Sequence, residues 1–594
     1  MNPTRPAPES TRIELITQEK PVNWLSPSQL LQTGLRALTA GEVGVMADPR
    51  LVQAALSPDE SSRPTFTAAD TAGPLWIDYL ADTGDGWDAT YTVAHTVAQA
   101  QIRPEDPATD PLPRAELLIL GGDQVYPTPA DAAYRTRFLD PFRSALPAPM
   151  EADHPGAPET RVTAGDPLLF ALPGNHDWYD GLHGFMQTFC SQRGIGRWQT
   201  RQRRSYWALK LPHGWWIWGL DLQLQSQMDT PQLDYFRAMA DRLAPGDQVV
   251  LCTPEPSWTD ASVQRGKADG TPLDSLERLP PRFSWLRDIE RLVLDHPDGG
   301  RREGVRLAAV LAGDQHHYAR YQSQDADATV RITCGGGGAY LLGTHDLPQQ
   351  LDFRGGGGRE QHQKVCTFPS ADESRSLRNQ IWRLPVTNPI FSATLGVFHA
   401  LWAVLLTYSG PLATLWGLIL VGGAALFTRS SAPTAQKARA TGAGLLHGLL
   451  HLALPLVVLS ALTDRFGSLH PAWQAGVTFA EGWLIGGLLF GLWLMLTNRW
   501  AGWHGEEVFS AQAIPHWRCF LRLRIDACGL TIYPLGIRQS CTRWRLGAGI
   551  EMLRQAGSTW RLRTRAASGP RFDPVDPIRV ELIEKPIVIP RTSR

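Results

Sequence analysis

The sequence predicts an α/β sandwich followed by an α-helical transmembrane region and a small β-rich C-terminal domain. Three observations lead to this fold class: short apolar runs that end in glycine and a polar residue, four long apolar segments after residue 389, and strand-like alternation near the C-terminus. With 594 residues, the chain is longer than one hydrophobic core supports, so we expect several domains.

Changes in composition divide the chain into four parts. We expect an N-terminal leader over residues 1–70, an α/β domain over 71–385, a transmembrane region of four helices over 389–498, and a C-terminal β-rich domain over 499–594. The leader carries a helical pattern over residues 28–38 and no recognisable site chemistry.

The net charge and the cysteines limit which binding partners and which cellular compartment we expect. The formal net charge is −1 and the pI is about 7.0, so no basic field favours nucleic acid and we expect no nucleic-acid partner. The seven cysteines are scattered without a CxxC pair, which favours a reducing compartment over a disulfide framework. The first residues lack the apolar stretch of a secretory signal, and we expect none.

The first site motif is LLILGGDQVY, at residues 117–126. Four apolar residues predict a buried strand, and the glycine pair lets the backbone turn so that Asp123 lies just beyond the strand's carboxyl end. Open α/β sheets bind their ligands at that edge. Alone, Asp123 is better interpreted as a turn residue that caps its own backbone.

The same pattern occurs twice more. Residues 170–177 read FALPGNHD and residues 307–317 read LAAVLAGDQHH, so apolar runs again lead through glycine to polar side chains. Asp123 follows the first of these predicted strands, Asn175 and His176 follow the second, and Asp314 and His316 follow the third. Side chains of these types at one edge of a sheet favour a metal or catalytic site over three unrelated turns.

These motifs resemble those of the calcineurin-like metallophosphoesterase family, whose marks are an early Asp, then GD, GNH[DE], a lone His and GHxH. The chain has GGD at Asp123, GNHD at residues 174–177 and GDxH in place of GHxH. The resemblance covers roughly the first two thirds of the chain. It implies a metallophosphoesterase-type α/β sandwich over residues 71–385 and says nothing direct about the rest of the chain. Together with the apolar segments after residue 389, it leads us to expect a membrane-anchored, bacterial-type member of the family.

The resemblance suggests Asp82 as the first metal ligand. The sequence there is Asp82-Thr83-Gly84, and the purple acid phosphatase branch has the same DxG and recruits a tyrosine three residues after the second Asp, where Tyr126 stands. A tyrosinate oxygen suits a hard ion such as Fe(III). Tyr126 could equally pack over the loop. Asp78 and Asp85 are rival ligands, and Asp85 could instead cap a helix that begins near residue 87.

Two departures from the family affect the second metal. Glu255 is the one residue with ligand chemistry where the family has its lone His, and Asp314 replaces the first His of GHxH. A site rich in carboxylates favours Mn, Mg or Ca over Zn. The resemblance implies two divalent or mixed-valence metal ions, and Mn, Fe, Zn and Mg remain candidates.

The resemblance implies two-metal hydrolysis, in which a bridging hydroxide attacks phosphorus. The first ion would be held by Asp82, Asp123, Tyr126 and His316. The second would be held by Asp123, Asn175, Glu255 and Asp314, so Asp123 bridges. The family assigns protonation of the leaving group to the His of GNHD, here His176, and we expect Asp177 to orient that imidazole and raise its pKa.

The expected function is a metal-dependent phosphoester hydrolase (metallophosphatase) anchored to the membrane. The alternative is a catalytically impaired binding or sensory protein that keeps the fold, because the ligands of the second metal are altered. The substrate is a phosphoester, and membrane attachment makes a lipid-linked one attractive. The glycine run 335–338 could offer backbone N–H groups to phosphate, but a tight turn is the favoured interpretation.

Four apolar segments, at residues 391–406, 412–427, 442–462 and 475–496, are each about long enough to span a bilayer. The linker between the second and third segments carries Arg429, Lys437 and Arg439, so the positive-inside rule places it in the cytoplasm. We expect a multi-pass protein of the inner (plasma) membrane with the catalytic and C-terminal domains cytoplasmic.

Polar and small residues inside these segments invite two further expectations. His399, His447 and His451 are expected to form interhelical hydrogen bonds rather than to carry protons or metal. The pairs Gly482/Gly486 and Gly487/Gly491 favour close helix packing, within the chain or in a homodimer. The tail after residue 500 predicts a β-hairpin over residues 519–534, with arginine-rich strands facing solvent or lipid headgroups.

Overall fold

A computed structural model describes residues 11–46, 49–69, 73–148, 165–222, 228–259, 281–323, 329–355, 358–565 and 569–591. Mixed α/β content and four long apolar helices agree with the predicted fold class. Residues 149–164 lie outside the described residues, whereas the helices Asp131–Ala133, Tyr134–Leu139 and Asp140–Ala145 come just before them.

Two nine-stranded sheets form the soluble part. The first sheet contains, in spatial order, Glu581–Leu582, Gly529–Ile537, Arg518–Asp526, Leu75–Leu80, Leu117–Leu120, Leu168–Ala171, Trp198–Thr200 and Gly194–Ile195, with Ile587–Pro590 also paired to Gly529–Ile537. The second contains Gln350–Gly355, Gly358–Phe368, Tyr318–Gln322, Val330–Cys334, Arg306–Ala312, Gln248–Thr253, Trp215–Gly219, Trp207–Lys210 and Phe66–Thr67.

Helices cover the outer faces of the sheets or flank the membrane region. Those of the soluble part with at least six residues are Pro27–Met46, Pro49–Leu56, Trp87–Val97, Asp140–Ala145, His183–Phe189, Thr230–Ala240, Pro281–Leu294, Ala371–Arg378 and Gly505–Ser510, together with the π-helix Tyr134–Leu139. Short α-helices follow at Asp131–Ala133, Asn175–Trp178 and Leu384–Thr387.

The central strands alternate between two cores, as their period of two residues requires. Leu117 and Ile119 lie in a core shared with Ile217 of the second sheet, whereas Leu118 and Leu120 lie in the core beneath the helices. The two sheets therefore pack face to face. Their fully buried strands explain why the sequence shows continuous apolar runs.

Parallel pairing brings the site motifs together. Leu75–Leu80 runs parallel to Leu117–Leu120, which runs parallel to Leu168–Ala171. In the second sheet, Gln248–Thr253 runs parallel to Arg306–Ala312. Parallel strands have their carboxyl ends at one edge, so the loops after all five strands meet there.

The C-terminal strands correct the predicted domain division. Arg518–Asp526 and Gly529–Ile537 form a hairpin, which overlaps the predicted one. However, Arg518–Asp526 also pairs antiparallel with Leu75–Leu80, so the hairpin extends the first sheet and is not part of a separate domain over 499–594. A buried ion pair fastens this junction, because Arg522 donates to both carboxylate oxygens of Asp78 at 2.7 Å.

The N-terminal leader also belongs to the body of the protein. Thr11–Thr17 pairs antiparallel with Thr559–Arg565, which pairs with Ile550–Ala556 to form a three-stranded sheet. Strand complementarity across more than 500 residues leaves no local signal in the sequence, so residues 1–70 were predicted only as a leader. The predicted helical pattern at 28–38 lies within the helix Pro27–Met46.

Four helices are long and apolar enough to cross a membrane: Pro389–Tyr408, Gly410–Ser430, Thr434–Phe466 and Pro471–Ala501. They contain the four predicted segments. The last is interrupted by a π-helix at Gly482–Gly486. Gly487 faces Ser392 and Gly491 faces the carbonyl of Ile381, so these glycines pack within the chain and are accounted for without a second copy.

Candidate metal centre

The three aspartates at the sheet edge share an unusual backbone conformation. Asp82, Asp123 and Asp314 have φ of 61°, 50° and 65°, in the left-handed region that residues other than glycine seldom adopt. Each follows the end of a parallel strand. Because such conformations cost about 1–3 kcal/mol and cluster at functional sites, their coincidence here marks the loops as shaped to present these carboxylates.

The hydroxyl of Tyr126 connects the two sheets at this edge. It donates to Asp82 Oδ1 or to Asp123 Oδ2, each at 3.1 Å, and lies 3.0 Å from Nε2 of His316. The structure thus brings together all four residues predicted to hold the first ion. Tyr126 is buried, yet it is a member of the cluster and not only a packing residue over the loop.

A second hydrogen bond fixes the orientation of His316. Its Nδ1 lies 2.7 Å from the carbonyl oxygen of Tyr340, which can only accept, so Nδ1 carries the proton. In the neutral imidazole, Nε2 then holds a lone pair directed at Tyr126. This arrangement, with one ring nitrogen donating to a carbonyl and the other free to ligate, is typical of metal-binding histidines.

Glycines make room for the carboxylates. A Cβ atom at Gly174 would lie 2.0 Å from Oδ1 of Asp123, and one at Gly335 would lie 2.2 Å from Oδ2 of Asp82. The N–H groups of Gly335 and Gly337 donate to the carbonyls of His317 and Ala81. The glycine run is therefore a close-packed turn against Asp82, as favoured, and these two N–H groups do not face a phosphate.

The residues predicted for the second ion are less completely assembled. Asn175 donates through Nδ2 to Tyr179 at 3.1 Å, and its Oδ1 is buried without a hydrogen-bond partner among the described residues. Asp314 Oδ2 accepts from Gln315 at 3.2 Å. Glu255 forms an ion pair with Arg282, so this carboxylate is already engaged by a cation.

Burial and mutual repulsion make the carboxylates hard to ionise. Burial, with the charges of Asp123 and Asp314, raises the pKa of Asp82 well above its ordinary value. Burial and Asp314 raise the pKa of Asp123 to about 8. Burial also raises the pKa of Asp314. A bound cation would favour the ionised forms, so the cluster has the electrostatics of a cation site.

The donor set fits a first metal ion. Among the described residues, no group of three or more His, Cys, Asp or Glu side chains has the geometry to hold a metal ion by itself. The cluster also includes the hydroxyl of Tyr126. Metal–ligand distances of about 2.0–2.2 Å place neighbouring ligands of an octahedral ion about 3 Å apart. The contacts of Tyr126 with Asp82, Asp123 and His316, at 3.0–3.1 Å, match that spacing.

Asp82 supplies a further sign of an absent partner. Its Oδ2 is buried and has no hydrogen-bond partner among the described residues, although Oδ1 accepts from Tyr126 and from the N–H of Asp314. A buried carboxylate oxygen without a donor is costly. For the second ion, Oδ1 of Asn175 gives a corresponding sign.

His176 and Asp177 are arranged differently from the prediction. Nδ1 of His176 lies 2.7 Å from the carbonyl of Pro127, while the carboxylate of Asp177 accepts from the N–H groups of Gly174 and Gln124. Asp177 therefore shapes the loop, and the Pro127 carbonyl orients the imidazole. Burial lowers the pKa of His176 to about 4, so the expectation that Asp177 raises it is wrong.

The rival ligands are occupied elsewhere. Asp78 lies in a strand of the first sheet and forms an ion pair with Arg522, so its carboxylate is already engaged by a cation. Asp85 accepts from the backbone N–H of Val22 at 2.8 Å and from that of Tyr340 at 3.1 Å. The helix Trp87–Val97 begins where predicted, but no side chain caps it. Asp85 instead ties the N-terminal segment to the site loop.

Sequence reasoning missed the aromatic wall of the site. Trp24 makes edge contacts with Tyr126 and His176, with ring centroids 5.8 Å apart in each pair, and with Tyr340 at 5.2 Å. It comes from the N-terminal segment, which showed no site chemistry. Arg282 was also missed, because it follows a long unassigned stretch of sequence and reaches the site only through tertiary contact with Glu255.

Two solved structures show weak similarity to this chain. One is described as "GAP50 the anchor in the inner membrane complex of Plasmodium", with 9% identity and a TM-score of 0.30 over 50% of this chain and 81% of that one. The other is purple acid phosphatase PPD1 from yellow lupin (Lupinus luteus) seeds, with 11% identity and a TM-score of 0.28.

The second alignment covers 47% of this chain and 46% of the lupin phosphatase, so it spans less than half of that protein. No family model matches the sequence, and no curated protein matches it. The candidate site is therefore supported by the geometry of the chain's own residues.

Proposed function

We propose that this protein is a metal-dependent phosphoester hydrolase anchored to a membrane. The observation that carries the proposal is the contact of one tyrosine hydroxyl, that of Tyr126, with Asp82, Asp123 and His316 at the edge where parallel strands end. Buried oxygen and nitrogen donors of this kind have little structural value without a cation, because their burial is costly.

In this proposal the first ion would be held by Asp82, Asp123, Tyr126 and His316, and the second by Asp123, Asn175 and Asp314, with Glu255 available only if Arg282 releases it. Bound there, the cations would activate a water molecule for in-line attack on phosphorus and stabilise the charge that develops on the phosphoryl oxygens. A tyrosinate donor favours Fe(III) at the first position, and carboxylates favour Mn or Mg at the second.

The protein's own side chains have separable tasks in this proposal. The Tyr340 carbonyl keeps the lone pair of His316 directed into the site. The backbone N–H of His176 holds Asp123 Oδ1 at 2.9 Å, which fixes the bridging carboxylate. Arg282 interacts electrostatically with Asp314 and supplies positive charge that can orient a phosphate.

His176 is proposed to donate the proton to the leaving group. Its Nδ1 is tied to Pro127, so proton exchange takes place at Nε2. A phosphoester brings negative charge beside this ring, which favours its protonated form. Trp24 and Tyr179 pack near the same imidazole, with ring centroids 5.8 Å and 5.0 Å from its own.

The substrate is proposed to be a phosphoester, and four apolar helices make a lipid-linked one attractive. The basic loop between the second and third helices supports a plasma-membrane protein whose soluble parts face the cytoplasm. An impermeant reagent applied to intact cells tests this orientation, because Cys528 is exposed and would be labelled only after lysis.

The test is hydrolysis of p-nitrophenyl phosphate and of its bis-ester by the purified full chain with Mn²⁺, Fe or Zn²⁺. Asp123→Asn is expected to reduce turnover by more than about 100-fold, because it weakens both metal positions. Asp110→Asn, at an exposed aspartate, is the matched control. Wild-type protein that binds metal but hydrolyses neither ester would overturn the proposal.

One observation favours a second function. Arg282 neutralises Glu255 at the second position, so a single-ion protein that binds a phosphorylated ligand without turnover would also explain the cluster. Metal content separates the two. One ion per chain, with phosphate binding but no hydrolysis, identifies the binding or sensory protein, whereas two ions with turnover identify the enzyme.

A further inference from the structure

Four ionisable side chains form a continuous hydrogen-bonded chain among the apolar helices. His399 Nδ1 lies 2.9 Å from Oε2 of Glu481, His399 Nε2 lies 3.0 Å from Nδ1 of His451, and His451 Nε2 lies 3.1 Å from Nε2 of His447. We call these four residues the histidine chain. The predicted interhelical hydrogen bonds are present, but the carboxylate at one end was not foreseen.

The histidine chain joins three helices and is shielded from solvent. His399 comes from Pro389–Tyr408, His447 and His451 from Thr434–Phe466, and Glu481 from Pro471–Ala501. Their exposed fractions are 2%, 2%, 9% and 6%, respectively. Ionisable groups are expensive at this depth, and interhelical packing alone could be achieved with apolar residues.

The helix that carries Glu481 departs from α-helical geometry beside the histidine chain. Directly after Glu481, the helix forms the π-helix Gly482–Gly486. A Cβ atom at Gly482 would lie 2.8 Å from Cγ of His399, and one at Gly486 would lie 3.1 Å from its Cε1. A π segment weakens regular helix hydrogen bonding and is frequent at functional sites. The ring of His399 therefore occupies space made for it.

The donors and acceptors of the histidine chain determine which nitrogen of each ring carries the proton. A carboxylate can only accept, so His399 carries its proton on Nδ1 and presents a lone pair on Nε2. His451 must then donate through Nδ1 and accept at Nε2, and His447 must donate through Nε2. Nδ1 of His447 is left with a lone pair, and it has no hydrogen-bond partner among the described residues. All three rings are neutral in this state.

We propose that the histidine chain is a proton relay that ends at Glu481. A proton that binds Nδ1 of His447 releases the Nε2 proton to His451, whose Nδ1 proton passes to Nε2 of His399, whose Nδ1 proton passes to the carboxylate of Glu481. Each nitrogen that gives up a proton is on a ring that has just gained one. One proton has moved from the entry nitrogen to Glu481, and every ring is again neutral.

The indole of Trp493 supports proton entry at His447. It stacks on the imidazole with centroids 4.5 Å apart and planes at 6°, so it can stabilise a transient positive charge. His504 lies 3.4 Å from the hydroxyl of Ser431 and 3.7 Å from Glu507, at the end of the bundle next to the soluble part. His504 and Glu507 thus place titratable groups at that end of the bundle.

The geometry argues against a metal at this place. His399 and His451 each use both ring nitrogens on different neighbours, so the donors follow one another and do not surround a point. Within the part of the chain that the structure describes, no group of three or more His, Cys, Asp or Glu has metal-binding geometry. A proton is the ligand that such a linear arrangement can carry.

The first test measures the protons directly in the full chain labelled with ¹⁵N-histidine. Solid-state NMR is expected to find the proton on Nδ1 of His399 and His451 and on Nε2 of His447. In Glu481→Gln, where the amide can donate as well as accept, this order is expected to be lost. Unchanged tautomers in the variant, or another arrangement in the wild type, would overturn the relay.

The second test follows the relay in time. After a rapid acidification of the detergent-solubilised full chain, infrared spectroscopy is expected to show a protonated carboxyl band that disappears in Glu481→Gln. His451→Phe is expected to slow the band's appearance at least tenfold, whereas His296→Gln, at an exposed histidine of the soluble part, leaves it unchanged. Equal rates in His451→Phe and wild type, or stoichiometric zinc bound to these histidines, would refute the proposal.

Discussion

The hydroxyl of Tyr126 lies 3.0 Å from Nε2 of His316, although 190 residues separate them. The contact crosses from the loop after Leu117–Leu120 in the first sheet to the loop after Arg306–Ala312 in the second. The same hydroxyl also contacts Asp82 and Asp123. Substitution of this one side chain therefore affects the contact between the two sheets and all the proposed ligands of the first ion.

Tyr126→Phe is expected to reduce bound metal and hydrolysis by at least about tenfold, because loss of a single ligand or its support lowers metal affinity by about 10–100-fold. The ring still packs against Trp24, so thermal stability of the metal-free protein should change little. Metal content by mass spectrometry and the melting temperature are the measurements. Unaltered metal content in Tyr126→Phe would show that Tyr126 only packs over the loop and is not a ligand.

The metal-free protein is expected to lose stability as the pH rises. The pKa of Asp123 is raised from 3.8 to about 8, so the folded state holds a proton that the unfolded chain releases. This contribution is fully present below about pH 4 and is lost as the pH rises through about 8. Melting temperatures without metal at about pH 5 and about pH 8 measure the slope.

Added Mn²⁺ should oppose that loss, since a cation that binds only the folded state stabilises it by about 2.7 kcal/mol at 100 times its dissociation constant. Asp123→Asn removes one of the buried titrating groups and is expected to flatten the pH dependence without metal. A wild-type profile that is flat, or one that Mn²⁺ leaves unchanged, would contradict this account of the cluster.

Gly335→Ala is expected to destabilise the protein by about 1–3 kcal/mol, as overpacking does, and to lower metal binding. The added methyl group would lie 2.2 Å from Oδ2 of Asp82 and must displace this carboxylate. Gly73→Ala is the matched control, because a Cβ atom there meets nothing within 4 Å. Similar melting temperatures and metal content in the two variants would disprove the close-packed turn.

A chain truncated after residue 385 is expected to be insoluble, and added residues 499–594 should recover part of the folded protein. The truncation removes the strand Arg518–Asp526 and exposes the edge of Leu75–Leu80, whose Ile77 and Tyr79 are fully buried. If the fragment of residues 1–385 were soluble, monomeric and stable, the predicted separate domain over residues 499–594 would be correct.

Asp78→Asn probes the same junction without truncation. It leaves the Arg522 guanidinium buried without its carboxylate, which costs about 3–5 kcal/mol in comparable cases. Chemical denaturation in detergent measures the loss, and Asp110→Asn provides the control. A loss below about 1 kcal/mol would mean that hairpin and sheet are held by apolar contacts alone.

The residues at strand ends were predictable because their signal is local. Asp123 and His316 each follow an apolar run and a glycine within a few positions, and parallel strands carry their carboxyl ends to one edge. The orientation of His176 by Pro127 was not predictable, because adjacency in sequence suggested Asp177 and the backbone turned that carboxylate to the N–H groups of Gly174 and Gln124.

By itself, the sequence determined the mixed α/β class, the four apolar helices and the polar strand ends Asp123 and His316, since hydrophobic period and local turn chemistry are encoded within short windows. Asp82 and Tyr126 were predicted from the resemblance to the purple acid phosphatase branch. Only the tertiary structure decided that the C-terminal hairpin completes the first sheet, that Trp24 covers the site, and that Glu481 ends a chain of three histidines. Those relations join residues tens to hundreds of positions apart, and such contacts leave no periodicity for a single sequence to reveal.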